Sequence, residues 1–261
     1  MYDYRTFRSG DVELAFIDTG GAQTARTVLL IHGFASNIEI NWVGPGWVSL
    51  LTGAGYRVVA IDNRGHGRSQ KLYDTRSYGS PIMAEDARVL LDHLEIAQAD
   101  VMGYSMGARI TAFLAMYHPA RVRSAIFGGL GIGMVKGVGA AEPIAQALET
   151  EDPDEIADVN ARMFRIFAER TGSDRRALAA CMRSARVKIR PEALAALRLP
   201  VLVCVGTRDD IAGSPQELAE IIPGARAVDI PGRDHNKAVG DRAYKEAVMA
   251  FLAGNDDGRG A

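Results

Sequence analysis

The pentapeptide Gly103-Tyr104-Ser105-Met106-Gly107 constrains the chain more than any other stretch, because it fits the pattern G-x-S-x-G. An apolar run that ends at Met102 predicts a strand before it, and apolar residues at helical spacing predict a helix over 108–118 after it. Ser105 then lies where a strand turns sharply into a helix, the context in which this pattern exposes a nucleophilic hydroxyl. We expect a strained backbone at Ser105, at a cost of about 1–3 kcal/mol, and glycines that leave room for the turn.

The rest of the chain alternates strands with helices on both sides of this pentapeptide. Apolar runs such as 27–31 and 201–205 predict strands buried on both faces, while 4–8 and 12–18 predict an antiparallel hairpin at a sheet edge. The chain is therefore predicted to be an α/β protein with a mostly parallel sheet flanked by helices, whose ligands bind beyond the carboxyl ends of the strands. The remaining predicted strands are 56–61, 123–128 and 226–230, and the remaining helices are 45–54, 82–94, 215–222 and 241–252.

The segment between Leu130 and Leu199 departs from this alternation, because it contains no good strand pattern. We interpret 131–198 as a helical cap inserted between two parts of one core, 1–130 and 199–254, and 255–261 as a disordered tail. Start and stop signals at Asp152-Pro153 and Gly172-Ser173 divide the cap into helices predicted at 141–149, 154–170, 174–184 and 191–197.

A serine hydroxyl is a poor nucleophile at neutral pH, so it needs a base, and the base needs an orienting acid. His235 is the candidate base, because it follows the last predicted strand and so reaches the same sheet edge as Ser105. The acid should follow a strand between these two residues. Asp209 is the first choice there and Asp210 is the alternative.

An oxyanion formed by attack of Ser105 needs two N–H donors. Met106, directly after the serine, is predicted to supply one backbone N–H, and Phe34, after His32-Gly33 at the end of a strand, is predicted to supply the other. His32 would then hold the loop rather than take part in chemistry. His93 and His118, each on a predicted helix, are interpreted as structural or solvated.

Composition excludes several classes of function. The chain of 261 residues has a net charge of −2, from 30 basic and 32 acidic residues, and no basic stripe that would suit a nucleic acid. No apolar leader or membrane span is predicted, so a cytoplasmic protein is expected. Its two cysteines, Cys181 and Cys204, suggest no disulfide framework. No metal motif is present, and the glycine cluster 128–133 does not fit a nucleotide-binding pattern, so no metal or cofactor is expected.

These motifs together resemble the α/β-hydrolase superfamily, and within it the capped branch of esterases, non-metal haloperoxidases, lactonases and C–C bond hydrolases. The resemblance covers the core, 25–130 and 199–252, whereas the cap matches no family that we can name. The residues that carry it are His32-Gly33-Phe34, Asp62-Asn63-Arg64-Gly65-His66-Gly67-Arg68-Ser69, the pentapeptide around Ser105, Gly206-Thr207-Arg208-Asp209 and Pro231-Gly232-Arg233-Asp234-His235.

The resemblance implies an α/β-hydrolase fold and acyl transfer on Ser105, with His235 as base. It favours Asp209 as the acid, because the family places that residue three positions after the glycine, and it gives His66 a structural role. The predicted activity is hydrolysis of a small or medium carboxylic ester, with a C–C bond or lactone hydrolase as the alternative. A perhydrolase side activity would need the same three residues, and a non-catalytic small-ligand receptor of the same fold is the alternative from another class.

The substrate pocket is the least constrained part of the prediction. Candidate lining residues are Phe34, Tyr104, Met134, Phe164 and Phe167, with the apolar cap residues Met163 and Met182 also considered. A small-molecule carbonyl substrate is the only partner predicted. The natural substrate and the oligomeric state stay open, because specificity in such a fold resides in the cap.

Overall fold

The computed structural model describes residues 2–22, 25–184 and 188–255, and these form one eight-stranded sheet in the order β1-β2-β4-β3-β5-β6-β7-β8. The first two strands form the predicted hairpin, which pairs antiparallel with β4, and all other neighbours are parallel. This confirms the predicted α/β class. The strands are β1 (Tyr4–Ser9), β2 (Val12–Asp18), β3 (Thr27–Ile31), β4 (Arg57–Ile61), β5 (Ala99–Tyr104), β6 (Val122–Gly128), β7 (Val201–Gly206) and β8 (Arg226–Ile230).

Each face of the sheet has its own apolar core. Side chains alternate along a strand, so Leu29 and Ile31 of β3 pack into one core while Val28 and Leu30 pack into the other. Because both faces are covered, the central strands are apolar at nearly every position, which explains why their continuous runs were readable in the sequence.

Helices cover both faces of the sheet. Helices α2 (Ser80–His93), α3 (Met106–Tyr117) and α9 (Pro215–Ile221) pack on one face, whereas α1 (Trp47–Gly53) and α10 (Arg242–Gly254) pack on the other. Helix α1 begins two residues later than predicted. A π-helix at Glu39–Val43 precedes it and was not predicted. No helix among the described residues is long and apolar enough to cross a membrane.

Between β6 and β7 the described residues form helices and no strand. Helix α4 was missed, and α6 begins later than predicted because the Asp158 carboxylate caps it by accepting a hydrogen bond from the Ala161 N–H (2.8 Å). We call this segment the helical insertion. It comprises α4 (Gly133–Lys136), α5 (Ala141–Glu149), α6 (Val159–Arg170), α7 (Arg175–Arg183) and α8 (Pro191–Ala195).

The helical insertion contacts the core through the loop after β3. The rings of Phe34 and Phe164 meet at 5.8 Å between centroids, and the Thr171 hydroxyl donates to the Ala35 carbonyl oxygen (3.0 Å). These contacts place α6 above the strand ends. The disordered tail was predicted for 255–261, of which 256–261 lie outside the described residues.

Candidate active site

Ser105 lies in a sharp turn between β5 and α3, with φ 55° and ψ −111°. A non-glycine residue with positive φ costs free energy unless its surroundings impose it, and the Ser105 N–H donates to the Gly128 carbonyl oxygen at 2.7 Å. A Cβ atom at Gly103 would overlap the Gly107 carbonyl group, and a Cβ atom at Gly107 would overlap the carbonyl group of Ile31. Both glycines are therefore required by close packing at this turn.

The ends of three parallel strands bring Ser105, Asp209 and His235 together. His235 Nε2 lies 2.9 Å from Ser105 Oγ, and His235 Nδ1 lies 2.7 Å from Asp209 Oδ2. Because an ionised carboxylate can only accept, Nδ1 carries the ring proton and Nε2 is left to accept from the serine hydroxyl. The other carboxylate oxygen, Asp209 Oδ1, accepts from the N–H groups of Ile211 (2.9 Å) and Ala212 (3.0 Å), which fixes the orientation of the carboxylate.

Asp210, the alternative acid, has an exposed side chain with no recorded hydrogen bond to His235. The side chain of Asp209 is fully buried, and that of His235 is 14% exposed. In this hydrogen-bonded chain, Asp209 therefore lies inside the protein, and Ser105 lies at the sheet edge where the ends of parallel strands meet.

Two backbone N–H groups, those of Phe34 and Met106, flank Ser105. A Cβ atom built on Gly33 would lie 3.4 Å from the Ser105 Cβ and 3.3 Å from the Tyr104 carbonyl oxygen, so the loop that carries Phe34 runs directly against the turn. Met106 is the first residue of α3, where N–H groups have no partner within the helix. In the described part of the chain, neither N–H donates to another group, so both are available to an anion, and the helix N-terminus adds positive potential.

Two buried side chains, those of His32 and Asn41, hold the loop around Gly33. His32 Nδ1 donates to the Gly33 carbonyl oxygen (2.7 Å), and His32 Nε2 accepts from the Asn63 N–H (2.9 Å). Burial lowers the pKa of His32 to about 4, so the ring is neutral. Asn41 Oδ1 accepts from the Gly33 N–H (3.0 Å). This side chain comes from the π-helix, so regular helical spacing in the sequence gave no sign of it.

The other three histidines make contacts away from Ser105. His66 is fully buried beside His32 and Phe34, and burial lowers its pKa to about 3. His93 stacks on the Phe7 ring at 5.9 Å, and His118 pairs with Glu85. Of the five histidines, only His235 contacts the serine.

A cavity of about 690 Å³ opens beside Ser105 and His235. Of the predicted pocket residues it is lined by Phe34, Tyr104, Phe164 and Phe167. The prediction for Met134 was wrong. Its side chain is fully buried in a core of the sheet and does not line the cavity, because the unpredicted helix α4 turns it inward.

The cavity lining is largely apolar, with several polar side chains among the apolar ones. The apolar part includes the predicted Met163 and Met182 together with Met83, Leu130 and Ile144. Polar residues that sequence analysis did not single out include Glu39, Asn41, Asn160, Asn236 and Lys237. Glu39 and Asn41 come from the π-helix, Asn236 and Lys237 come from the loop after β8, and Asn160 comes from α6, and no sequence pattern marked which of these side chains face a cavity.

Comparison with known proteins agrees with this architecture. A sequence model of the α/β hydrolase fold matches residues 26–130. Epoxide hydrolase B of Mycobacterium tuberculosis is 33% identical over 149 residues, which are 54% of this chain but only 41% of that relative. The curated relative is thus matched over less than half its length.

Two solved structures match over almost the whole chain. The enol-lactonase of Burkholderia xenovorans LB400 superposes with a TM-score of 0.77 at 23% identity, covering 95% of this chain and 100% of that one. A thermophilic esterase from Thermogutta terrifontis superposes with a TM-score of 0.74 at 22% identity, covering 98% and 99%. The chain therefore has the α/β-hydrolase fold. At these identities the two structures establish the shared fold alone.

Proposed function

We propose that this protein is a serine hydrolase that cleaves a small or medium carboxylic ester through an acyl-enzyme on Ser105. The observation that carries the proposal is the hydrogen-bonded chain from Ser105 through His235 to Asp209 beside a largely apolar cavity. Serine, base and acid in this arrangement are the requirement for nucleophilic catalysis at a carbonyl carbon.

The reaction follows from the geometry. His235 Nε2 takes the proton as Ser105 Oγ forms a bond to the carbonyl carbon, and Asp209 stabilises the resulting imidazolium. The negative charge that develops on the carbonyl oxygen is held by the N–H groups of Phe34 and Met106. His235 then returns the proton to the departing alcohol. Water repeats the same steps in reverse order to release the acid and restore the serine.

The identity of the nucleophile favours a carbonyl substrate over an epoxide, although one relative is named an epoxide hydrolase. Attack of a serine on an epoxide carbon would give an ether, which has no carbonyl for water to attack. Attack on an ester gives a new ester, which the same base can hydrolyse. Turnover by Ser105 therefore requires an acyl group.

The volume and the lining of the cavity indicate the size and polarity of the acyl group that the site would accept. Its volume of about 690 Å³ is typical of small-molecule sites, and Phe164 and Phe167 of α6 line it opposite the core. We propose that 131–198 acts as the cap that covers the acyl group, so that apolar acyl chains of intermediate length are preferred.

Hydrolysis of a p-nitrophenyl ester series from acetyl to decanoyl tests the proposal, with Ser105→Ala as the matched control. We expect turnover that depends on Ser105 and passes through an optimum of chain length. Labelling of Ser105 by a fluorophosphonate without turnover of any ester would redirect the search to lactones and C–C bonds. Absence of both turnover and labelling would contradict the proposal and favour a ligand receptor.

A further inference from the structure

The Tyr104 side chain connects the serine turn to the loop that carries His235. Its hydroxyl donates to the His235 carbonyl oxygen at 2.5 Å, and the two rings lie 5.6 Å apart between centroids. Among the described residues, no other hydrogen bond to that carbonyl oxygen is recorded. The residue directly before the nucleophile thus contacts the backbone of the base, which is remote in the sequence.

We propose that Tyr104 is a positioning residue, whose hydroxyl holds the His235 backbone so that the imidazole stays in line between Ser105 and Asp209. The inference rests on the proposed function, in which His235 moves a proton between the serine and the leaving group. Asp209 fixes one ring nitrogen, but it cannot fix the backbone from which the ring extends. The Tyr104 hydroxyl supplies that second fixed point.

The Tyr104 ring packs directly against the backbone of two glycines. A Cβ atom on Gly129 would lie 2.6 Å from Tyr104 Cζ, and one on Gly128 would lie 2.9 Å from Tyr104 Cδ2. The Tyr244 ring packs on the same side, 6.2 Å away between centroids. A side chain at Gly128 or Gly129 would overlap the Tyr104 ring, so these two positions of the cluster 128–133 require glycine. The sequence pattern of the cluster did not indicate this role.

The hydroxyl is also a permanent donor. The Tyr104 side chain is 4% exposed, and burial raises its pKa well above the ordinary value. It therefore stays protonated wherever His235 can act as a base. If the hydroxyl is removed, the His235 carbonyl must turn to water, and the loop gains freedom to shift the imidazole. A misplacement of roughly 1 Å can reduce a rate by about a hundredfold.

Tyr104→Phe tests the inference, because it removes the hydroxyl and keeps the ring. Tyr244→Phe is the matched control. It removes a neighbouring buried hydroxyl that has no hydrogen-bond partner in the part of the chain described. We expect Tyr104→Phe to lower kcat for the best ester by about ten- to a hundredfold, while KM stays within about twofold because ground-state binding is untouched. Tyr244→Phe should leave kcat and KM unchanged.

A second measurement decides the inference without turnover. The His235 Nδ1–H proton, hydrogen-bonded to Asp209, can be followed by NMR in the wild type and both variants. We expect its resonance to broaden or vanish through faster solvent exchange in Tyr104→Phe, and to persist in Tyr244→Phe.

An unchanged resonance together with an unchanged kcat in Tyr104→Phe would overturn the positioning role. A general loss of stability is excluded if the midpoint of thermal unfolding is the same in both variants. A drop in that midpoint in Tyr104→Phe alone, with kcat intact at lower temperature, would assign the hydroxyl to structure and also overturn the inference. Failure of the wild type to hydrolyse esters or to react with a fluorophosphonate would contradict the proposed function separately, since the NMR comparison does not depend on activity.

Discussion

Ser105 occupies a backbone conformation that suits glycine better than serine, and its neighbours maintain it. Its N–H donates to Gly128, and its carbonyl oxygen accepts from the N–H groups of Ala108 (3.0 Å) and Arg109 (3.3 Å) at the start of α3. The backbone hydrogen bonds on both sides of the residue are thus satisfied in the strained form. The strain is the cost of presenting the hydroxyl to His235.

Substitution at this position should separate strain from chemistry. Ser105→Gly should raise the free energy of unfolding by about 1–3 kcal/mol, because glycine adopts a positive φ without strain. The greater freedom of the unfolded glycine chain should lower it by about 0.5–1 kcal/mol. We therefore expect Ser105→Gly to unfold at higher denaturant concentration than Ser105→Ala, with both variants inactive. A midpoint in urea that is lower for Ser105→Gly than for Ser105→Ala by the amount of that entropy cost would show that the turn stores no strain.

The two neighbouring aspartates should differ in their effect on the rate. Asp209→Asn presents an amide N–H to His235 Nδ1, so the ring adopts the wrong tautomer and kcat should fall by a factor on the order of 10³–10⁴. Asp210→Asn changes an exposed side chain and should lower kcat by less than about twofold, as surface changes do. Ester turnover by the two purified variants makes the comparison, and the reverse order would show that the acid has been assigned to the wrong residue.

At the scale of single elements, the predicted bounds of a helix or strand agree with the structure where a long apolar or amphipathic pattern ends at clear breaking residues. The boundaries of β3 and α5 match the prediction to the residue, because uninterrupted apolar or amphipathic patterns are bounded by breaking residues. The start of α6 was predicted five residues early, at Asp154, because Asp152 and Asp158 both fit the pattern of a capping residue. The π-helix and α4 are short, and so they carry too few residues for periodicity to reveal them.

Arg165 of α6 links two helices of the insertion. Its side chain is 2% exposed and donates to the carbonyl oxygens of Ala147 (3.0 Å) and Glu151 (3.1 Å), and to that of Thr150, at the end of α5. Since helix C-termini carry negative potential, the buried cation is stabilised there. Glu169 in the next turn of α6 also accepts from it (2.8 Å).

Removing this cation should loosen the insertion. Arg165→Met keeps much of the apolar stem but removes the Arg165 donor from the Ala147 and Glu151 carbonyl groups, while Thr150 still accepts from Arg175 (3.2 Å), and this loss should destabilise the fold by about 1–3 kcal/mol. Arg170→Met, an exposed position in the same helix, is the control and should change stability by less than about 0.5 kcal/mol. Chemical denaturation of both variants measures the difference, and equal losses would mean that the Arg165 contacts contribute nothing.

For the molecule as a whole, the sequence was sufficient to predict that Ser105, Asp209 and His235 converge and insufficient to predict the full lining of the cavity. Ser105, Asp209 and His235 were predicted to converge because parallel strands end at one sheet edge. The side chains of Tyr104 and His235 meet across 131 positions of sequence, and no local pattern encodes such a contact. Met134 shows the same limit, since an apolar residue in a helical segment can face either a cavity or a core.

The buried histidines should make stability depend on pH. Burial depresses the pKa of His32 to about 4 and of His66 to about 3, whereas both titrate near 6.5 when unfolded. Between those values the unfolded chain binds more protons than the folded one, so stability is complete above about pH 6.5 and falls as the pH is lowered. Each such group contributes a slope of about 1.4 kcal/mol per pH unit below its unfolded pKa.

His66→Leu removes one of these groups without adding a buried polar atom. The free energy of unfolding is measured in urea between about pH 5.5 and 4.5. We expect it to depend on pH less steeply in His66→Leu than in wild type, by about 1.4 kcal/mol per pH unit. The absolute stability of the variant at pH 7 does not enter the comparison. A slope identical to that of wild type would indicate that His66 is protonated in the folded protein.

The strand order carries a consequence for biosynthesis. Ser105 follows the central strand β5, while His235 follows β8, which is synthesised last and lies at one edge of the sheet. A growing chain therefore contains Ser105 and the helical insertion before it contains His235, the proposed base. Under the proposed function, the Ser105 hydroxyl has no base to activate it until β8 and the loop after it have docked on the sheet, so its reactivity depends on the strand that is made after the other seven.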